Sequence, residues 1–390
     1  MPESQALLAD DFPYPPQLGK LAGNRREVIM AHTSVSTPLG VIEGFFGRPW
    51  SWSARESYAS FMAQHGYDFY IYAPKSDAIL RRRWQEDWTA AQWSQLLQLR
   101  SRYQQAGVKF GVGLSPYELY RQPSADSRVA LTRKIESLNR LEPDILCLLF
   151  DDMRGDLPEL AQRQVELVQT AANTTSASRI VFCPTYYSFD PILEKVFGAR
   201  PADYWKTLAQ GLDSAIDIFW TGPKVCSEHY PEAHLEQVNS LLGRRPFLWD
   251  NYPVNDSQKL CQQLRLQAFS KDRAHLEGHL AGHAVNPMNQ PYLSQIPLST
   301  LPQAYREGDG YQTEAAFIQA CQRLCEPALA ERLIEDRPLL QDTGLDALTE
   351  SQRLHLKNRY QPFADSSVSA QELLNWLSGH YAFDPACLTE

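Results

Sequence analysis

DILCLLFDD, residues 144–152, runs five apolar residues, Leu146 to Phe150, straight into two adjacent carboxylates, Asp151 and Asp152. A short apolar run bounded by polar residues reads as a strand buried on both faces. Two acids where such a strand leaves the core repel each other and are costly to desolvate. One account is a helix cap beside a solvated loop acid. The other is acid chemistry, in which a like charge and partial burial raise one pKa until a protonated carboxyl persists near neutral pH. The pair alone does not choose between them.

Working outward, the same kind of run recurs to make eight: GVIEGFF (40–46), YDFYIYAP (67–74), KFGVGLSP (109–116), the stretch above, RIVFCPTYY (179–187), AIDIFWTG (215–222), PFLWDN (246–251) and LAGHAVNP (280–287). Their ends lie about 30 to 42 residues apart, the length of one βα unit. Helix signals fill the gaps. Ser53 with Glu56 predicts a capping box before Tyr58, Phe61 and Met62, with Gly66 as the stop, and Thr89 with Gln92 repeats the device ahead of Trp93, Leu96 and Leu97, stopped by Gly107. The reading is an α/β fold, a (β/α)8 TIM-type barrel followed by a C-terminal helical region. An open doubly wound sheet is the structural alternative, but it calls for a glycine-rich phosphate turn after the first strand, and the turn here reads GFFGRPW. The expected boundaries are an N-terminal lead-in over 1–37, the catalytic barrel over 38–300 and helices over 301–390. Apolar stripes in the tail, such as Leu373, Leu374 and Leu377, either pack on the barrel wall or form a homodimer interface.

Bulk properties narrow the function classes. Of 390 residues 43% are hydrophobic, enough for one large core. A net charge of −9 with interleaved signs argues against a nucleic-acid partner and fits a small neutral or weakly charged ligand. The N-terminal residues lack a signal-peptide pattern, and no run of about 18 apolar residues indicates a membrane span, so the expectation is a cytoplasmic protein without membrane attachment. Seven cysteines suit reduced thiols, and Cys321 and Cys325 lack a second pair to complete a zinc spacing. No metal and no cofactor is expected.

In such a barrel the active site forms at the carboxyl ends of the strands. Polar residues stand at nearly every end: Glu43, Lys75, Ser115, Asp151, Asp152, Tyr187, Thr221, Lys224, Asp250, Asn251 and Asn286. Each alone could be a cap or loop residue; their convergence on one rim is the functional signal. Adjacent residues of an extended strand face opposite ways, so Asp151 and Asp152 reach one ligand only if the chain turns there, which Met153, Arg154 and Gly155 permit. A two-carboxylate retaining glycosidase of the common kind needs its acids about 5 to 5.5 Å apart, usually from different strands. Neighbouring acids suit another division of labour, one orienting a substrate amide while the other protonates the leaving oxygen.

The segments GVIEGFFGRPW (40–50), YIYAPKSD (70–77), LLFDDM (148–153), FCPTYY (182–187), WTGPKV (220–225), WDNYPVND (249–256) and the step Asn286-Pro287 resemble glycoside hydrolase family 84, which includes protein O-GlcNAcases and bacterial β-N-acetylglucosaminidases. The resemblance implies hydrolysis of β-linked GlcNAc on a glycan or glycoprotein. The substrate's own acetamido carbonyl is the nucleophile, forming an oxazoline. It assigns Asp151 to the acetamido N–H and Asp152 to acid and base duty. Tyr187 contacts the acetamido oxygen, and Thr221, Val225 and Trp249 hold its methyl. Asn251 sits beside the acids, Asp256 and Asn286 grip the 4- and 6-hydroxyls, and Lys75 and the Gly44 carbonyl take the 3-hydroxyl.

Three positions depart from the family pattern: Ser76 for an acid, Tyr117 for the glycine of an SPG step, and Tyr186 for an acid in the CPTEY step. They touch the rim that receives the aglycone. Two other readings stand beside the first: a glycan-binding barrel without turnover, and a retaining glycosidase whose protein nucleophile is a rim carboxylate such as Glu43 or Asp250.

Overall fold

The computed structural model describes residues 37–121 and 124–385. The lead-in expected over 1–37 lies outside them, save Thr37. Eight strands, β1 (Leu39–Glu43), β2 (Phe69–Tyr72), β3 (Lys109–Leu114), β4 (Ile145–Leu149), β5 (Arg179–Cys183), β6 (Asp217–Trp220), β7 (Phe247–Asp250) and β8 (Gly282–Val285), pair in parallel and in sequence order. β1 also pairs with β8, Val41 opposite Val285, and this pairing closes the barrel. Closure leaves none of these eight strands with an open edge, and strands such as FYIY and ILCLL are buried along their whole length.

Around them lie α1 (Trp52–His65), α2 (Ala90–Gln105), α3 (Ala125–Asn139), α4 (Leu160–Thr174), α5 (Ile192–Phe197), α6 (Tyr204–Gly211), α7 (Glu232–Leu242) and α8 (Pro291–Leu298). The cap of α1 is Ser51, two residues earlier than expected; its side chain accepts from the Ala54 N–H. Gly66 ends that helix in the left-handed region at φ 87°. Thr89 and Gln92 form the reciprocal box on α2 as the spacing predicts.

Beyond the barrel the chain continues as α9 (Leu301–Glu307), α10 (Thr313–Leu324), α11 (Pro327–Arg337), α12 (Glu350–Tyr360) and α13 (Val368–Leu377). Their apolar stripes meet the loop after β7 and one face of α8 in a second core that includes Leu264, Leu293, Phe317, Leu333, Tyr360 and Trp376. One polar contact marks the junction. Glu372 of α13 accepts from the N–H groups of Tyr292 (3.1 Å) and Leu293 (2.8 Å), capping α8 from outside. Burial pushes this carboxyl up to about 8, with the two N–H groups pulling the other way.

Two acids at strand ends point into the wall. Glu43 of β1 takes a bidentate bond from Arg55 of α1 (2.6 and 2.8 Å) and another from Tyr70 of β2 (2.6 Å). Asp250 of β7 is bound by Arg273, His283 and Tyr230. Burial alone would raise the Asp250 carboxyl, but Arg273 and His283 outweigh it and hold it well below the usual carboxylate range. Removing one partner of a buried pair strands the other charge, so Asp250→Ala is expected to cost about 3–5 kcal/mol in unfolding free energy, measured by urea denaturation. A loss below about 1 kcal/mol would show that the network is not structural.

Candidate active site

The strand ends open into a cleft of about 680 Å³ lined by residues from six of the eight units, among them Gly44, Asp151, Asp152, Tyr187, Thr221, Val225, Trp249, Asn251, Asp256 and Asn286. Ten of the eleven residues to which the family resemblance gives a role therefore line one cleft. The eleventh, Lys75, stands just behind it, with Nζ 2.5 Å from Asp151 Oδ2 and 3.7 Å from Asp152 Oδ2. Glu43 and Asp250 do not line the cleft, because both are consumed by the buried networks behind it. Lys224 is exposed, and Ser115 is buried.

β4 ends at Leu149, and Asp152 sits in the left-handed region at φ 57°, a conformation Asp tolerates better than most residues. That turn breaks the alternation of the strand and brings both acids to one side. Their environments differ. The Asp151 side chain is 7% exposed and that of Asp152 28%. Asp151 Oδ2 is taken by Lys75, whereas Asp151 Oδ1 is buried without a hydrogen-bond partner. Asp152 is raised from the ordinary range by burial first and by the Asp151 charge second, against the pull of Lys75 and Arg81; Tyr187 donates to its Oδ1 at 3.4 Å. Burial also works against the Lys75 ammonium, but the two carboxylates outweigh it and raise its pKa.

The opposite wall is a directional chain of amides. An indole N–H can only donate, so Trp249 Nε1, 3.0 Å from Asn251 Oδ1, sets which way the Asn251 amide faces. Asn251 Nδ2 then donates to the Val225 carbonyl (2.8 Å), Asn286 Nδ2 donates to Asn251 Oδ1 (3.1 Å), and Asn286 Oδ1 accepts from the Gly44 N–H (3.3 Å). Gly44 must be glycine here, since a Cβ would lie 2.4 Å from the Trp249 ring. The Thr221 hydroxyl is bound to the Lys224 carbonyl (2.8 Å), which leaves its methyl to the cleft. Asp256 accepts from the Phe46 N–H (2.9 Å). Among the described residues no three His, Cys, Asp or Glu side chains are grouped to hold a metal.

Phe46, Cys183, Cys226, Val254, Ser257 and Leu260 also line the cleft and were not singled out. Phe46 and Cys183 lie inside quoted motifs, so position was the available signal. Ser257 and Leu260 belong to an irregular loop and carried none.

A closed parallel barrel with an unequal carboxylate pair in a cleft at its carboxyl end is the framework of a glycoside hydrolase. The β-N-acetylglucosaminidase family matches residues 39–335, and the chain belongs to that family. The protein O-GlcNAcases of Rattus norvegicus and Mus musculus are each 27% identical over 276 residues, covering 68% of this chain and 30% of theirs. The chain thus spans about 30% of the length of those curated relatives. The solved structure of an O-GlcNAc hydrolase mutant from Thermobaculum terrenum is 28% identical with a TM-score of 0.71, covering 87% of this chain and 80% of that one.

Burial, and after it the Asp152 charge, pushes the Asp256 carboxyl up to about 6 against the Phe46 N–H. A ¹³C carboxyl titration should therefore find Asp256 half-protonated near pH 6, and Asp152→Asn, by removing a negative neighbour, should move that midpoint down. An unchanged midpoint would contradict the coupling.

Proposed function

We propose that this chain is a retaining exo-β-N-acetylglucosaminidase, O-GlcNAcase-like, that hydrolyses terminal β-linked GlcNAc by substrate-assisted catalysis. The observation that carries the reading is the inequality of the two acids. Asp151 has one oxygen fixed by Lys75 and the other buried and unpartnered, an acceptor suited to an acetamido N–H. Asp152 is more exposed and its pKa is raised, as a proton donor requires.

In the first step the acetamido carbonyl oxygen bonds to the anomeric carbon while the bond to the leaving oxygen breaks and Asp152 transfers its proton there. Asp151 holds the N–H and stabilises the positive oxazolinium that develops. In the second, Asp152, now a carboxylate, takes a proton from water as the water oxygen attacks the anomeric carbon from the opposite face. The oxazoline opens and the β configuration is restored. Tyr187 lies against the acetamido oxygen, and the Thr221 methyl, Val225 and Trp249 enclose its methyl group. Asp256 and Asn286 hold the 4- and 6-hydroxyls, and the Gly44 carbonyl and Lys75 hold the 3-hydroxyl. Asn251, fixed by Trp249 and Val225, keeps the wall beside the acids in register. No metal or cofactor enters these steps. Glu43 and Asp250, bound in the barrel wall, make poor protein nucleophiles.

A reducing, cytoplasmic setting fits the free thiols of Cys147, Cys183, Cys226, Cys261, Cys321 and Cys325. No helix among the described residues is long and apolar enough to cross a membrane. A homodimer through the helical tail would cover Leu354 and Val368, which are 57% and 56% exposed.

Asp151→Ala should lose hydrolysis of aryl GlcNAc glycosides whatever the leaving group. Asp152→Ala should keep most activity on strongly activated leaving groups and lose roughly 10²- to 10⁴-fold on poor ones. Because the acid form is needed first, kcat/KM on poor leaving groups should fall as pH rises through the Asp152 pKa, and Asp152→Ala should lack that limb. Equal losses for both variants across leaving groups would sink the assignment.

A further inference from the structure

The side of the cleft that receives the leaving group is the side onto which Asp152 opens. The loop after β3 is laid against that turn. The Glu118 N–H lies 3.4 Å from Met153 Sδ, and the Tyr120 hydroxyl donates to the Arg154 carbonyl. Between these anchors and the strand end stands Tyr117, the half-buried residue that departs from the family's glycine.

Tyr117 is the centre of a cationic cluster. The Arg82 guanidinium lies 3.7 Å from its ring centroid and that of Arg81 5.1 Å. Arg81 also lies 5.4 Å from the ring of Phe46, a residue of the cleft wall that Lys75 approaches at 5.8 Å. Arg81 thus occupies the next place outward from the lysine that serves the acids. Its loop is fixed by Asp77, which accepts from the Ile79 N–H, the Tyr72 hydroxyl and the Trp88 indole, and by the Ser115 N–H bonded to the Leu80 carbonyl.

Arg81 is 3% exposed, yet its Nε and Nη1 make no hydrogen bond. The Asp152 and Asp151 charges act on the guanidinium but supply no acceptor to these two donors, and burying donors without an acceptor is costly. The charge of Glu118, the acid on the Tyr117 loop, is felt at Tyr120 and Arg154. We infer that Arg81, Arg82 and Tyr117 form a leaving-group subsite for an aglycone carrying a carboxylate close to the glycosidic oxygen. The inference rests on the glycosidase reading of the same cleft. The planar fork of Arg81 matches a carboxylate in geometry and charge, Arg82 adds a second cation, and Tyr117 holds the two guanidinium planes in place.

The test compares two aryl glycosides of GlcNAc that differ only in a meta substituent, carboxylate or carboxamide, through the ratio of their kcat/KM values. Using the ratio cancels any general loss of fold or of acid catalysis. The native chain should favour the carboxylate about tenfold beyond the uncatalysed difference, less so at high salt. Arg81→Gln should abolish the preference, Arg81→Lys should keep only part of it, and Arg82→Gln and Tyr117→Gly should each reduce it several-fold. If thermal melting shows that Arg81→Gln does not fold, the Arg82 and Tyr117 variants decide the question. Turnover of both glycosides with a ratio unchanged by these substitutions overturns the subsite alone. No turnover of either glycoside, or of 4-nitrophenyl GlcNAc, overturns the glycosidase reading and the subsite with it.

Discussion

Two carboxylates on consecutive residues in one cleft repel each other, and the ammonium group of Lys75 lies against both. It comes from the loop after β2 while the acids come from the end of β4, so the two strands must be held in one barrel for the charges to meet. Lys75 does not divide itself evenly. It lies 2.5 Å from Asp151 and 3.7 Å from Asp152, and Asp151 is the more deeply buried of the two. The asymmetry of the pair therefore follows from the position of one ammonium group and from the left-handed turn at Asp152 that exposes the second acid.

The same economy of placement governs β7. Alternation along a strand puts Trp249 and Asn251 on one face and Asp250 on the other. The first two enter the cleft; Asp250 enters the wall, where Arg273, His283 and Tyr230 hold it. A buried ion pair of this kind adds little net stability against an apolar replacement, but it holds the strand end in one register. The Trp249 indole then orients Asn251, and Asn251 orients Asn286, which reaches the Gly44 N–H on β1's exit. Gly44 closes the circuit because any side chain there would strike Trp249.

The helical tail is part of the same body and not an independent appendage. α10 and α13 cover α8, and Glu372 supplies the two backbone N–H groups at the start of α8 with their acceptor. The loop from 253 to 280, which carries Asp256 into the cleft, lies between this tail and the barrel, with Leu264 and Leu266 in the second core and Trp376 donating to the Cys261 carbonyl. Tail and cleft are thus connected through the Asp256 loop.

Much of this was legible in the residues. Eight apolar runs at βα spacing determined the barrel, because a parallel strand must be apolar on both faces and its helix must fill the interval. Polar residues at the run ends pointed to the rim, and ten of the eleven residues given a role by the family resemblance line the cleft itself. The sequence could not separate rim from wall at Glu43 and Asp250, since one residue of register decides the face and only their partners, Arg55 and Arg273, make burial tolerable. Nor could it place Arg81 beside Tyr117, or give Asp151 and Asp152, whose roles came from the family resemblance alone, their unequal exposure and distance from Lys75. Those outcomes depend on distances between side chains from different strands and loops, which exist only once the barrel has closed.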